Sequence, residues 1–294
     1  MNVSWADTIS GSLPLAHSIM LFTVNAVVGV LGSLGNLLVC LVIATNSRLR
    51  RSSNYLLFSL AIADLIIILI CEPIVLKFIS QLTFFHKCRT SAEELVYHVL
   101  VSLSCQTSFF HLVSISIDRF VAVAFPLRHK IVMEKGGLKV MLIASWSLPI
   151  LDSVLSNIIC IPTGSNPVFN LIGFVIFSFS GLSIFLFHFL IVVVLLHHRK
   201  KTKQLTARTV SAKLVTRLEV RVTCTLAIAT GVFTVCWVPI ITLFAIEKWR
   251  NTPLHLWLTT VALSNSAMSF LIYSAKMRDF RNAYVGILRK FLRL

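Results

Sequence analysis

The chain has 294 residues, 56% of them hydrophobic and only 13% charged, against about a quarter charged in an average soluble domain, and its mean hydropathy is +0.87. That composition excludes most soluble folds. A net charge of +16 would suit a nucleic-acid binder, so the placement of the 27 Lys and Arg decides the matter.

In chain order, Met1 to Ala16 is polar and lacks a basic stretch ahead of an apolar run, so no cleavable signal is read there and the first span is expected to serve as its own anchor. Asn2-Val3-Ser4 fits the glycosylation sequon. Apolar stretches then run at roughly 18–44, 55–79, 92–123, 138–159, 167–197, 222–247 and 254–275. Each is long enough to cross about 30 Å of hydrocarbon at ~1.5 Å per residue. A last segment, Met277 to Leu294, interleaves Arg281, Arg289, Lys290 and Arg293 with Phe280, Tyr284, Ile287, Leu288 and Phe291, the pattern of a helix lying on the inner leaflet. With no internal repeat and no separating linker, the expectation is an all-α membrane protein of seven spans with a short amphipathic eighth helix. Residues 1–17 would form an outer terminus, 18–275 the bundle and 276–294 a cytoplasmic tail.

The basic residues follow the spans. Arg48, Arg50 and Arg51, then Arg119 through Lys139, then Arg199 through Arg221, then Lys276 through Arg293 account for 22 of the 27 and fall on alternate connections. By the positive-inside rule those connections are cytoplasmic and the amino terminus is outside. The charge is thus topological, and nucleic acid is not an expected partner. An enzyme is disfavoured because Asp64 and Asp118 belong to opposite ends of the bundle, and a transporter because the halves are not inverted copies.

Asn36, Asp64, Asp118, Arg119, Glu219 and Asn265 lie within or at the ends of spans, where an ionisable group facing lipid costs about 2.5–3.5 kcal/mol on insertion scales, so they should face inward. Their company is specific. Gly35-Asn36-Leu37-Leu38-Val39 is followed by Leu60-Ala61-Ile62-Ala63-Asp64-Leu65, Ser116-Ile117-Asp118-Arg119-Phe120, Phe125-Pro126-Leu127-Arg128, Trp146 with Pro149, Phe233 with Cys236-Trp237-Val238-Pro239, Asn265, Ser269-Phe270-Leu271-Ile272-Tyr273 and Phe280-Arg281. In this order and over essentially the whole chain, these residues resemble the rhodopsin-like G-protein-coupled receptors.

The resemblance implies roles. Arg119, with Asp118 and with Glu219 at the inner end of the sixth span, would form the switch that holds the third and sixth helices together until an agonist favours outward movement of the sixth. Phe233, Trp237, Pro239 and Tyr273 would transmit that movement. Asp64 with Ser108, Asn265 and Ser269 would form a buried sodium pocket, or Asp64 would instead be neutral and hydrogen-bonded; no other cofactor is expected. Cys88 and Cys160 would form the outer disulfide, with Cys88 standing 31 residues before Arg119 and Glu94 at the usual place.

Val101 replaces the third-helix aspartate of amine receptors, and Leu263 replaces the lysine that holds retinal in opsins. The ligand-facing set expected in the outer half is Val101, Ser102, Cys105, Gln106, Ile240, Ile241, Phe244, His255 and Thr259, which suits a peptide or small lipophilic molecule better than an amine bound through the third helix. Glu72, Glu93, Glu94, Asp152 and Glu247 read as an acidic outer rim. The expected partners are the bilayer, an extracellular ligand and a heterotrimeric G protein at the plasma membrane. The alternative role is a receptor-shaped dimer partner or ligand sink with little signalling, because Ser269-Phe270 stands where the family has Asn-Pro, Ser180 where it has Pro, and His188 where it has Tyr.

Overall fold

The structure, a computed structural model, describes residues 14–50, 52–84, 91–163, 182–183, 185–187, 189–194, 210–245, 253–276 and 278–291, and every described segment is helical apart from short joints. Helix α1 (Leu15–Thr45) follows Pro14 and ends at Asn46, whose extended backbone turns the chain out of the helix. Helix α2 (Ser52–Phe84) runs through Pro73, and α3 (Ser91–Ala124) through the Asp118-Arg119 pair.

A short α4 (Pro126–Val132) opens on Pro126 at its first turn, where a missing N–H leaves no bond unmade. The following π turn (Met133–Gly137) bends into α5 (Leu138–Thr163). Gly136 makes that bend with φ 109°, a region closed to most side chains, and a Cβ on Gly137 would fall 2.8 Å from the Val132 carbonyl oxygen. Helical residues at 182–194 belong to the fifth apolar stretch. Then come α6 (Val210–Ala245), α7 (Pro253–Lys276) and α8 (Arg278–Phe291).

Helix α6 starts twelve residues before the apolar stretch expected at 222, because the basic connection ahead of it is rich in helix-formers such as Leu214, Arg217, Leu218 and Glu219 and carries the helix beyond the hydrocarbon. Among the described residues, four helical stretches are long and apolar enough to cross a membrane, Leu15–Thr45, Asn54–Gln81, Val99–Ala124 and Leu127–Val154. Shorter apolar helices cover Phe185–Val194 and Ala227–Leu243. Helix α7 is less apolar because its buried face carries His255, Thr259, Thr260, Asn265 and Ser266.

The packing is that of a protein dissolved in lipid. Ile19, Met20, Val27, Val30, Leu31, Leu34 and Leu37 of α1 are exposed, while the same helix buries Asn25, Gly32, Gly35 and Asn36. Without a hydrophobic force between spans, small residues that admit close approach and polar side chains that bond across helices must hold the bundle. Asn25 donates to Thr260 Oγ1 at 2.9 Å, and Asn36 donates to the Ser266 carbonyl at 3.0 Å, so α1 is tied to α7 at two depths. At the third joint, Ser59 Oγ receives the Trp146 indole N–H at 2.9 Å and lies 2.8 Å from His111 Nε2, joining α2, α3 and α5. His111 Nδ1 faces the Thr107 carbonyl at 2.7 Å, which can only accept, so Nδ1 carries the proton and Ser59 donates to Nε2.

On α8, Phe280 and Tyr284 are buried and Arg281 and Arg289 exposed, as the interleaved pattern predicts. The Tyr284 ring also packs on Phe270, with centroids 6.0 Å apart.

Candidate functional site

Near the carboxyl-terminal end of α3, helical pitch turns Asp118 wholly into the bundle, and Arg119 beside it is 9% exposed. Arg119 Nε and Nη2 both bond one carboxylate oxygen of Asp118, at 2.9 and 2.5 Å, and His129 Nε2 bonds the other at 2.7 Å. An ionised carboxylate only accepts, so His129 presents an N–H to it. Asp118 is therefore clamped from two sides, by its neighbour and by α4. The sequence reading missed His129, because nothing in its spacing says that α4 folds back beneath α3. Glu219 falls on α6, but its side chain lies outside the described residues, and so does its pairing with Arg119.

Halfway up the bundle, Asp64 is fully buried. Its Oδ1 accepts from Ser266 at 2.8 Å and from Ser108 at 3.4 Å, while Oδ2 has no donor among the described residues. Of the expected sodium set, Asp64 and Ser108 come together and Asn265 is buried nearby in sequence on α7, but the Ser269 hydroxyl donates to the Asn265 carbonyl of its own helix at 3.3 Å. Ser266, three residues earlier, takes the place expected of Ser269. Ser266 was legible only with the helix phase of α7 in hand, since one residue turns the side chain by about 100°.

Above that level, Phe233 stacks on Trp237 with centroids 5.9 Å apart and 28° between planes, as their spacing of four residues requires. Phe109 of α3 packs against Phe233 at 5.0 Å, a contact the sequence did not reveal. Pro239 lies inside α6, where it removes a backbone hydrogen bond above Trp237. Tyr273 belongs to α7, with its side chain outside the described residues.

In the half of the bundle away from Asp118, Val101 and Cys105 are buried, and Ser102 and Gln106 half-buried, along α3; Ile240 is buried and Ile241 half-buried on α6; His255 and Thr259 are buried on α7, and Thr259 donates to the His255 carbonyl at 2.8 Å. Phe244 lies on α6 with its side chain undescribed. The acidic rim needs correction. Glu93 does pair with Lys77 near the surface at 2.6 Å, but Glu72 is 3% exposed and packs against Gly29 in the seam between α1 and α2. Asp152 is half-buried on α5, where its Oδ2 accepts from Gln106 Nε2 at 2.6 Å. Both carboxylates face other helices because the helix phase of α2 and α5 turns them inward. Cys88 and the side chain of Cys160 lie outside the described residues, as does Asn2; Cys40, Cys71, Cys105 and Cys236 are free thiols.

A lipid-facing apolar shell around a polar seam, with a clamped acid–arginine pair at one end and an aromatic stack leading away from it, marks a multi-pass membrane protein. The model of the 7 transmembrane receptor (rhodopsin family) matches residues 35–277, so the chain belongs to that family and its bundle has seven spans. It is 29% identical to the histamine H2 receptor of Homo sapiens over 92% of this chain and 79% of that protein. It is 31% identical to the histamine H2 receptor of Rattus norvegicus over 85% and 74%, and 27% identical to the adenosine receptor A2a of Canis lupus familiaris over 91% and 71%.

Proposed function

We propose that this G-protein-coupled receptor sits in the plasma membrane with its amino terminus outside, takes a small, largely apolar ligand in the outer half between α3, α6 and α7, and activates a heterotrimeric G protein when α6 swings outward at its inner end. The observation that most supports this is the clamp on Asp118: a switch needs ion pairs that can be exchanged, and the Arg119–Asp118 pair, shared with His129, is such a charged contact at the end of α3. Phe109, Phe233 and Trp237 form a packed run of rings between the proposed ligand region and that end. A ligand that packs better on one Trp237 position than another would bias α6 by that difference.

Sodium is part of the same reading. Asp64, Ser108 and Ser266 offer oxygen donors alone, and Asp64 Oδ2 lacks a donor among the described residues, which suits a small hard cation that favours the resting state.

The test is nucleotide exchange by added G proteins in membranes carrying equal surface levels of wild type, Glu219→Ala and Arg119→Ala. Glu219→Ala is expected to raise agonist-free exchange and Arg119→Ala to lower it. A second reading, a receptor-shaped protein that signals weakly and acts as a dimer partner or ligand sink, is favoured by Phe270, whose ring pins α7 where the family has a proline. If all three proteins stay at the level of empty membranes across several G-protein families, that second reading replaces the first.

A further inference from the structure

We infer that Asp152, with Gln106, is the anchor for the cationic head of the ligand, a small amine with an apolar body. The inference rests on the outer-cavity reading above and names the chemistry of what that cavity holds.

Three observations lead to it. The first is depth: Gln106 lies 13 residues before Arg119 on α3, so at ~1.5 Å per residue the Asp152–Gln106 bond stands about 20 Å above the inner end of the helix, within the hydrocarbon layer. A half-buried carboxylate at that depth is tolerated only where it faces protein or an aqueous cavity. Its partner on α3 is Gln106, which is bonded in turn to Ser102, and both belong to the proposed ligand-facing set.

The second observation is the imbalance of donors and acceptors. Gln106 Nε2 serves both Asp152 Oδ2, at 2.6 Å, and Ser102 Oγ, at 3.2 Å. Its amide hydrogens are thereby used, while Gln106 Oε1 is buried with no donor among the described residues. The locus offers a carboxylate and a carboxamide oxygen, and both amide hydrogens of Gln106 are already given, which suits an ammonium group.

The third is the lack of an internal counter-charge. No Lys or Arg occurs between Arg89 and Arg119, between Lys139 and Arg199, between Arg221 and Lys248, or between Arg250 and Lys276. The stretches of α3, α5, α6 and α7 at that level therefore contain no Lys or Arg, and a ligand's ammonium group would supply the permanent positive charge that they lack. His111, the histidine on α3 nearest in sequence, has both ring nitrogens engaged by Ser59 and Thr107. Val101 gives α3 no acid of its own, so the anchoring charge is moved sideways to α5. Glu72 is a poorer candidate, because it points into the α1–α2 seam against Gly29.

The test uses the full chain in lipid nanodiscs and probes of defined charge: histamine, 2-phenylethylamine and tryptamine, each beside its uncharged N-acetyl counterpart. At least one amine is expected to raise the Tm of wild type by several degrees where its N-acetyl partner does not. Asp152→Asn should weaken that amine at least tenfold, Asp152→Glu should retain the preference, Gln106→Leu should weaken it less, and Glu72→Gln should leave it unchanged. Asp152→Glu and Gln106→Leu keep the test open if Asp152→Asn does not fold. The inference is overturned if no amine surpasses its N-acetyl partner, if the preference survives in Asp152→Asn, or if Glu72→Gln abolishes it equally. Agonist-free nucleotide exchange on the same membranes reads receptor function separately, so a missing amine effect with intact exchange rejects the anchor and spares the receptor.

Discussion

The ring of Phe270 lies directly on the backbone of Gly35: a Cβ placed on that glycine would fall 2.3 Å from Phe270 Cδ1 and 2.4 Å from Cγ. The residue that departs from the family's Asn-Pro pattern is thus accommodated by a glycine on a helix it directly touches, six spans away in sequence. The same ring packs on Tyr284, so one side chain links α1, α7 and α8. Gly35→Ala should cost about 1–3 kcal/mol through overpacking and shorten the thermal half-life in detergent, and Phe270→Leu should partly restore Gly35→Ala. Unchanged stability in Gly35→Ala would show that the ring can move aside at no cost.

Removing the second clamp on Asp118 should shift the resting equilibrium. His129→Ala takes away a charge-assisted bond of 2.7 Å to a fully buried carboxylate. A net loss of about 1 kcal/mol would change the active fraction roughly fivefold. Agonist-free nucleotide exchange should rise accordingly, with His129→Gln, which keeps a donor, closer to wild type. Equal exchange in all three proteins would limit His129 to a structural contact.

Sodium should stabilise the protein through Asp64. Replacing potassium by sodium at constant ionic strength is expected to raise the Tm of wild type, and Asp64→Asn should abolish the difference. Ser266→Ala should reduce it and Ser269→Ala should not, because Ser266 bonds Asp64 and Ser269 bonds its own helix. The reverse order of the two serine variants would return the site to the pattern expected from sequence.

The Ser59 hydroxyl serves Trp146 and His111 together. Ser59→Ala leaves the half-buried Trp146 indole N–H and the buried His111 ring nitrogen without this partner, at about 1–3 kcal/mol for a buried group left unsatisfied. Lower surface expression and a lower Tm are expected, with Ser59→Asn, which can both accept and donate, intermediate. A wild-type Tm in Ser59→Ala would mean that His111 and Trp146 find each other without it; their rings already meet edge-on at 5.8 Å.

The spans were legible because lipid imposes one rule, twenty or so apolar residues. Arg119, Asp64 and Trp237 were legible as out-of-place polar and aromatic groups in a fixed order. His129, Ser266 and Phe109 were not, since each depends on helix phase or on a connection folding back, and neither leaves a trace in a single sequence. Asp152 and Glu72 were read as a rim for the same reason: the chain shows how far along a span a carboxylate lies, but the direction it faces is set by the neighbouring helix.

The two asparagines of α1 bear on how the molecule can be taken apart. Asn25 and Asn36 fasten the first span to the last at two heights, through Thr260 and the Ser266 carbonyl. A receptor cut in the long basic connection before α6 would keep those fasteners across the cut, so its two pieces, made separately in one membrane, carry in α1 and α7 the means to recognise each other. The polypeptide link between them would then be dispensable for assembly, and the asparagines would not.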